Sequence, residues 1–369
     1  MNDAARPVGQ FITEQVLPQW EDLNAYRSVY THNQAMNVML NRHGIRTHQF
    51  GGSRVAFLYN GSVVGGRQVR LTTLISDQAA EATASKTLSR AYWSSAGLPV
   101  IETHRFAQGE DAQASKLICK GRSWVVKLDS ARYGRGVSLP VVSKEEFTHA
   151  WQKARANLPQ DGRVSQELLL EKFYDGINLR FFVIAGQAWA ALLRTPLFVL
   201  GDGHKTVHQL LEESFEHRRR HVALRRALPE INERLLSPRA PRLTDIPQKG
   251  DLHILNEVTN MPRGSLPLDV TREVSEDLKA LAEQAAAAIP GLGMTCIDLL
   301  TTRLDSATDA VLLDADCRAS MGPHRYPAFG RGRRLASVVA RQTRLRAEYW
   351  DKPIRPAQVR SDDDNEDDD

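Results

Sequence analysis

A series of lysines followed by carboxylates runs through the chain, each member fixed to a short pattern. Lys86 opens the stretch KTLSRAYWSSAG, and Lys127 lies near the end of the apolar run WVVKL, just before the glycine turn YGRG. Glu171 follows in ELLLEKF, Asp298 in CIDLL, and Asp314 with Asp316 in VLLDAD. Glycines at such a turn let backbone N–H groups approach an anion closely, while the lysine supplies a point charge. Three carboxylates on neighbouring strands would repel one another unless cations stood among them.

The surrounding segments supply the frame. The run VAFLYNGSVVGG places two apolar stretches about Asn60-Gly61 and predicts a β-hairpin. The helical stretch from Lys86 stops at Gly97 with Pro99 just beyond. A strand (WVVKL), a helix around SKEEFTHAWQKARANL and a strand (ELLLEKF) follow, and LRFFVIAGQAWAALLRTP reads as a second hairpin bent at Gly186. After the turn-rich loop LGDGHKT comes a helix expected over 216–236, then the connector SPRAPRLTDIP, the helix SEDLKALAEQAAAAI and strands at CIDLL and VLLDAD. Strands and helices in alternation argue for an α+β or α/β layered fold.

With 369 residues, 42% of them hydrophobic, the chain has room for two or three compact domains. The N-terminal stretch MNDAARPVGQFITEQVLPQW has no basic segment leading into an apolar core, so no secretory signal is expected. The longest apolar stretch, 181–193, is short of the roughly 20 residues a bilayer requires, which makes the cytoplasm the expected location and excludes a membrane partner. Cys119, Cys296 and Cys317 lack metal-ligand or redox spacing and read as reduced packing residues. The net charge is +4, and seven acids fall in the last nine residues, so the remainder stands at +11. That acidic tail reads as disordered. The basic stretch 216–236 has no interleaved aromatics and no recognisable binding motif, so nucleic acid is not the expected partner.

Basic groups early and carboxylates late suit a nucleotide triphosphate held from one side and its magnesium from the other. Three stretches, 85–100, 171–206 and 296–327, together resemble the ATP-grasp ligases. The resemblance is strongest to the glutathione-synthetase-like domain of bifunctional glutamate-cysteine ligase/glutathione synthetase, and more distant to cyanophycin synthetase. It covers roughly residues 80–335. It implies an α+β ATP-grasp fold, a nucleotide clamped between two α+β subdomains, and ATP with two Mg²⁺ ions as cofactors. The expected division is a small leading domain over 1–80, a small subdomain with a lid over 81–175, a C-terminal catalytic subdomain over 176–350 and the acidic tail over 351–369.

Residue by residue, the resemblance places Lys86 and Lys127 on the phosphates, with Tyr133, Gly134 and Gly136 as a lid. Glu171, Lys172 and Phe173 fall on the strand that meets adenine, largely through backbone groups. Asn178 stands where the family uses glutamate for the ribose, and an uncharged amide weakens that contact. Lys205, with His204, falls in a loop that closes over the γ-phosphate. Arg180 and Arg194 suit phosphate and the oxyanion of a tetrahedral intermediate. Asp298, Asp314 and Asp316 are the magnesium candidates. In the segment 256–265, Asn260 and Gly264 match a family loop that lines the acceptor, while Asn256 replaces the usual arginine.

The departures concentrate on the last strand, where the family shows glutamate at 314 and asparagine at 316 and 318. Aspartate is shorter by one methylene, about 1.5 Å of reach, and metal distances tolerate only about 0.2 Å. The backbone must shift there, or a water must intervene. Arg318 adds a cation that could meet a phosphate or a substrate carboxylate. The resemblance implies a carboxylate-amine ligase acting through an acyl phosphate on amino acids or small peptides, with homodimers common among relatives. The leading 80 residues are too short for the amino-acid ligase domain of the bifunctional enzyme, so one ligation is expected, with peptide-like natural-product synthesis as its setting by analogy. A nucleotide-binding relative without chemistry and a basic interaction protein remain as alternatives.

Overall fold

The computed structural model describes residues 2–119, 121–130, 134, 136–158 and 165–350, and among these the strands form four sheets, all with antiparallel pairing. Tyr133 of the expected lid and the acidic tail over 351–369 lie outside the described residues.

Helix α1 (Pro7–Phe11) continues through π and 3-10 turns to Asp22. Helix α2 (His32–Arg42) starts at a reciprocal cap: Thr31 Oγ1 accepts the N–H of Gln34, and the Gln34 side chain accepts the N–H of Thr31. Strands β1 (Arg46–Gln49), β2 (Arg54–Tyr59), β3 (Ser62–Gln68) and β4 (Leu71–Thr72) then pair in chain order. The expected hairpin is β2–β3, with Asn60 (φ 49°) and Gly61 (φ 81°) both left-handed, as the tightest hairpin turn requires. Helices α3 (Asp77–Ala82) and α4 (Lys86–Ser95) follow.

Strands β5 (Thr103–Phe106), β6 (Trp124–Leu128), β7 (Ser138–Val141) and β8 (Leu168–Lys172) form a sheet in the order β5-β8-β6-β7. Between them run the short helix α5 (Asp111–Ala114) and the longer α6 (Lys144–Arg155), and Phe147 and Trp151 of α6 pack on Val126, Leu168 and Leu170 in a core of their own.

The largest sheet is built from β9 (Ile177–Ile184), β10 (Gln187–Arg194), β13 (Pro267–Asp269), β14 (Met294–Thr301) and β15 (Val311–Asp316), in the order β13-β10-β9-β14-β15. A separate ribbon pairs β11 (Leu197–Leu200) with β12 (Leu252–Asn256). Helices α7 (Val207–Arg219), α8 (Glu276–Ala287), α9 (Gly322–Arg325) and α10 (Leu335–Trp350) are the remaining helices of the described residues. The second hairpin, β9–β10, turns at Ala185 and Gly186, again with both φ positive.

Alternation along β9 divides its side chains between two environments. Ile177, Leu179, Phe181 and Val183 enter the core beneath α8, whereas Phe182 and Ile184 enter a second core with Met36 of α2, Phe57 of β2 and Val339 of α10. The first 80 residues therefore share both cores with later segments: Val8, Phe11 and Ile12 join the first, and α2 with β2 the second.

The helix expected over 216–236 is a correction. Helix α7 begins earlier, at the reciprocal cap of Thr206 and Gln209, and stops at Arg219. Buried His221 accepts the N–H groups of Ala223 and Leu224 through Nδ1, and only short 3-10 turns follow at Leu224–Arg226 and Glu233–Leu235. Among the described residues no helix is long and apolar enough to cross a membrane.

Candidate active site

The second face of the large sheet is apolar at one end and charged at the other. Phe182, Ile184, Ala190, Met294 and Cys296 are packed in the core. Further along the same strands, Asn178 and Arg180 of β9, Arg194 of β10, Asp298 of β14 and Asp314 with Asp316 of β15 line a cavity of about 470 Å³. Register makes this cluster: Asp298 is paired with Arg180 on one side and Asp314 on the other. A bulge at Leu313 lets Leu312 and Ala315 both reach the core while Asp314 and Asp316 face the cavity.

Asp298 is held tightly. Arg180 donates to it through Nε (2.6 Å) and Nη2 (2.7 Å), and Arg194 through Nη2 (3.0 Å). Burial alone would raise this carboxyl; the two guanidiniums overcome burial and hold it down to about 2. Its expected place as an open metal ligand thus meets a carboxylate whose oxygens are already taken. Asp314 and Asp316 differ, with side chains 27% and 41% exposed, Asp314 lying 3.5 Å from Lys86 Nζ and Asp316 3.8 Å from Arg180 Nη1. Among the described residues, no three His, Cys, Asp or Glu side chains gather closely enough to hold a metal by themselves.

A second buried cluster forms where the small sheet meets α4. Glu171 Oε1 accepts from Lys127 Nζ (2.8 Å) and from Arg90 Nη1 (2.6 Å). Burial raises Glu171, but Arg90 and Lys127 outweigh it and leave its carboxyl lowered. Burial also lowers Lys127, with Glu171 opposing, to about 8. The Glu171 side chain therefore points at these cations, while its backbone is paired with Thr103 of β5 and Val125 of β6. The N–H groups of Lys172 and Phe173 donate to the carbonyls of Glu102 (3.0 Å) and Ser123 (2.8 Å), so these two expected adenine donors are already engaged, although all three residues line the cavity.

Lys86 lines the cavity from the first turn of α4, where Ser85 Oγ accepts the N–H of Leu88. Asp129, just after β6, accepts from Ser85 Oγ and from the N–H of Thr87, both at 2.8 Å, and its carbonyl accepts from Lys86 Nζ (3.2 Å). Asp129 thus joins the two lysine-bearing elements. Gly134 also lines the cavity, where a Cβ would come within 2.8 Å of Val258 Cγ1. Gly136 packs on Asn157 and Ala154 beside α6 instead, outside the lining.

Two further expectations change. Asn178 Oδ1 accepts from Arg194 Nε (2.8 Å) and Nη2 (2.6 Å), so its oxygen orients that arginine and is not free for a ribose. Lys205 lies outside the cavity lining and pairs with Glu213 Oε1 (2.8 Å), while the N–H groups of both His204 and Lys205 donate to Asp202. That turn serves the start of α7.

Arg90, Arg6 and Glu257 escape a reading of the sequence. Arg90 could have been found, because it stands four residues after Lys86 on the same helix face. Arg6 and Glu257 could not: Arg6 bonds Glu257 Oε1 (2.5 Å) and Asp175 Oδ1 (2.8 Å), joining the chain's start to the link before β9 and the loop after β12. From that loop Asn260, matched in the sequence, lines the cavity together with Val258 and Met261.

No protein-family model matches the chain. It is 29% identical over 267 residues to the glutathione biosynthesis bifunctional protein GshAB of Enterococcus faecalis, a match covering 69% of this chain and 34% of that protein. To cyanophycin synthetase of a Nostoc species it is 27% identical over 223 residues, covering 58% of this chain and 24% of the relative. The chain thus spans about a third or less of the length of these relatives. The crystal structure of a bifunctional glutathione synthetase from Pasteurella multocida superposes with a TM-score of 0.54 at 22% identity, over 85% of this chain and 44% of that one. The chain has the α+β ATP-grasp fold and resembles the ATP-grasp carboxylate-amine ligases.

Proposed function

We propose that the chain is an ADP-forming ligase, using ATP and Mg²⁺ to join the carboxylate of an amino acid or small peptide to an amine. The observation that carries the reading is the cavity itself: Lys86, Lys127, Arg180 and Arg194 stand around the same space as the partly exposed Asp314 and Asp316. Magnesium in phosphoryl transfer is commonly held by one or two carboxylates and the substrate's phosphates, so a cage of three protein ligands is not required. Asp314 and Asp316 fit that demand. Asp298 becomes available to a cation only as far as Arg180 and Arg194 take an anionic ligand in its place. The metal would neutralise charge on the transferring phosphoryl group.

In this reading Lys127 and Lys86 bind the phosphates, and Arg180 with Arg194 orient the substrate carboxylate. A carboxylate oxygen attacks the γ-phosphorus and ADP leaves. The amine nitrogen then adds to the acyl carbon of the acyl phosphate, loses a proton, and phosphate departs. Positioning and fixed charge carry the rate, so no side-chain nucleophile is needed.

A second reading is an ATP-binding protein without ligation, favoured by the engaged oxygens of Asp298 and by the residues at 314, 316 and 318. One assay separates them: ADP and phosphate release from ATP and Mg²⁺ with pools of amino acids and dipeptides, with products detected by mass. Substrate-dependent ADP release and a product one water lighter than its parts are expected of the ligase. ATP binding with no release against any pool would favour the second reading.

A further inference from the structure

We infer that Arg70 and Arg318 form an anion-binding subsite in the cavity, taking a carboxylate or phosphate that the substrate carries in addition to its reacting carboxylate. The inference rests on the ligase reading and names its substrate class: an amino acid or peptide with a second anionic group.

The two arginines differ from the four cations that the ligase reading places on phosphate and substrate carboxylate. Lys86, Lys127, Arg180 and Arg194 are each paired with a carboxylate. Arg70 and Arg318 line the same cavity and have no ion pair among the described residues. Arg70 Nη1 donates to the backbone carbonyl of Arg318 at 3.3 Å, which holds the two residues together, and the N–H of Arg318 donates to Asp316 Oδ1 (2.9 Å). Arg318 Nε is buried with no acceptor among the described residues. A guanidinium N–H in that state is satisfied by a planar or tetrahedral oxyanion, which the guanidinium fork can grip with two hydrogen bonds.

The backbone that presents Arg70 is also unusual. Val69, between β3 and β4, has φ 56°. Val69 and Arg70 are the two-residue turn between Gln68 and Leu71, which takes a left-handed first residue, and a β-branched side chain there is rare. The neighbourhood is cationic: buried His32, whose Nδ1 accepts the N–H of Met321, is lowered to about 4 by burial and then by Arg70 and Arg67.

Calorimetric titration of the full chain, with and without ADP and Mg²⁺, tests the inference without requiring turnover. The probes are L-glutamate, L-aspartate and O-phospho-L-serine, each against its neutral partner L-glutamine, L-asparagine or L-serine. The wild type is expected to prefer at least one anionic probe over its partner by about tenfold to a hundredfold. Whether a carboxylate or the phosphate wins identifies the source of the anion. Arg70→Ala and Arg318→Asn should each collapse the preference, with Arg318→Lys restoring part of it and thermal melting confirming that each variant is folded. Equal affinity within every pair, no binding of any anionic probe, or an unchanged preference in both variants would overturn the inference. Absence of ADP release, by contrast, bears on the ligase reading alone.

Discussion

Asp298 and Asp316 lie on adjacent strands of one sheet face and live under opposite conditions. The side chain of Asp298 is 7% exposed and its two oxygens are bonded by Arg180 and Arg194; that of Asp316 is 41% exposed and approaches Arg180 only to 3.8 Å. A buried carboxylate has to be compensated within the protein, and once compensated it serves mainly to hold its partners in place. A more exposed one keeps part of its oxygen surface for a ligand, although Asp316 Oδ1 accepts the N–H of Arg318 (2.9 Å) and Asp314 Oδ1 that of Ala315 (3.1 Å). The same division separates Glu171, held by Lys127 and Arg90, from Asp314, which Lys86 approaches at 3.5 Å. The locked pairs set the geometry of the site, and in the proposed reading the more open carboxylates of β15 are its ledge for a cation.

The largest effect should come from unlocking the buried pair. Asp298→Ala leaves two buried guanidiniums without their counter-charge and is expected to destabilise the protein by about 3–5 kcal/mol, read from urea unfolding. A loss below about 1 kcal/mol, on the scale of an exposed pair, would remove the distinction.

Lys127 comes next, because the reading gives it a ligand as well as a partner. Lys127→Met leaves Glu171 paired with Arg90, so the fold should survive while turnover drops by roughly hundredfold. Burial lowers the lysine to about 8 even with Glu171 opposing. Wild-type turnover should therefore hold below pH 8 and fall above it as the ammonium loses its proton, by up to about tenfold per pH unit. A pH profile without that basic limb would show that the charge on Lys127 is not used.

The smallest effect is expected at the open end. Asp316→Asn should change stability by no more than about 0.5 kcal/mol, while the Mg²⁺ concentration that half-saturates turnover shifts. A large loss of stability would place Asp316 among the locked residues.

Much of the fold was legible because local rules and tertiary demands agree. Asn60-Gly61 and the bend at Gly186 supply left-handed residues to hairpins, and the strand around CIDLL carries its acid at the cavity. The stretch 216–236 misled because its charges suggest a solvated helix, whereas Arg218 is buried with Nη1 on the carbonyl of Gly264 (2.5 Å), and His221 draws the next turn out of helix. The site was legible as a set of residues but not as a set of pairings. Sequence spacing places Asp298 among acids; only the register of β9 and β14 puts Arg180 beside it. Likewise nothing in the sequence joins Arg6 to Glu257 or Asp129 to Ser85, because those contacts follow from how distant segments pack.

The most direct test is the position of a divalent ion. Crystals grown with ADP and Mn²⁺ would show it by anomalous scattering. The account predicts a peak within ligand distance of the carboxylates of Asp314 or Asp316. A peak on Asp298 alone, with neither β15 carboxylate in reach, would contradict it.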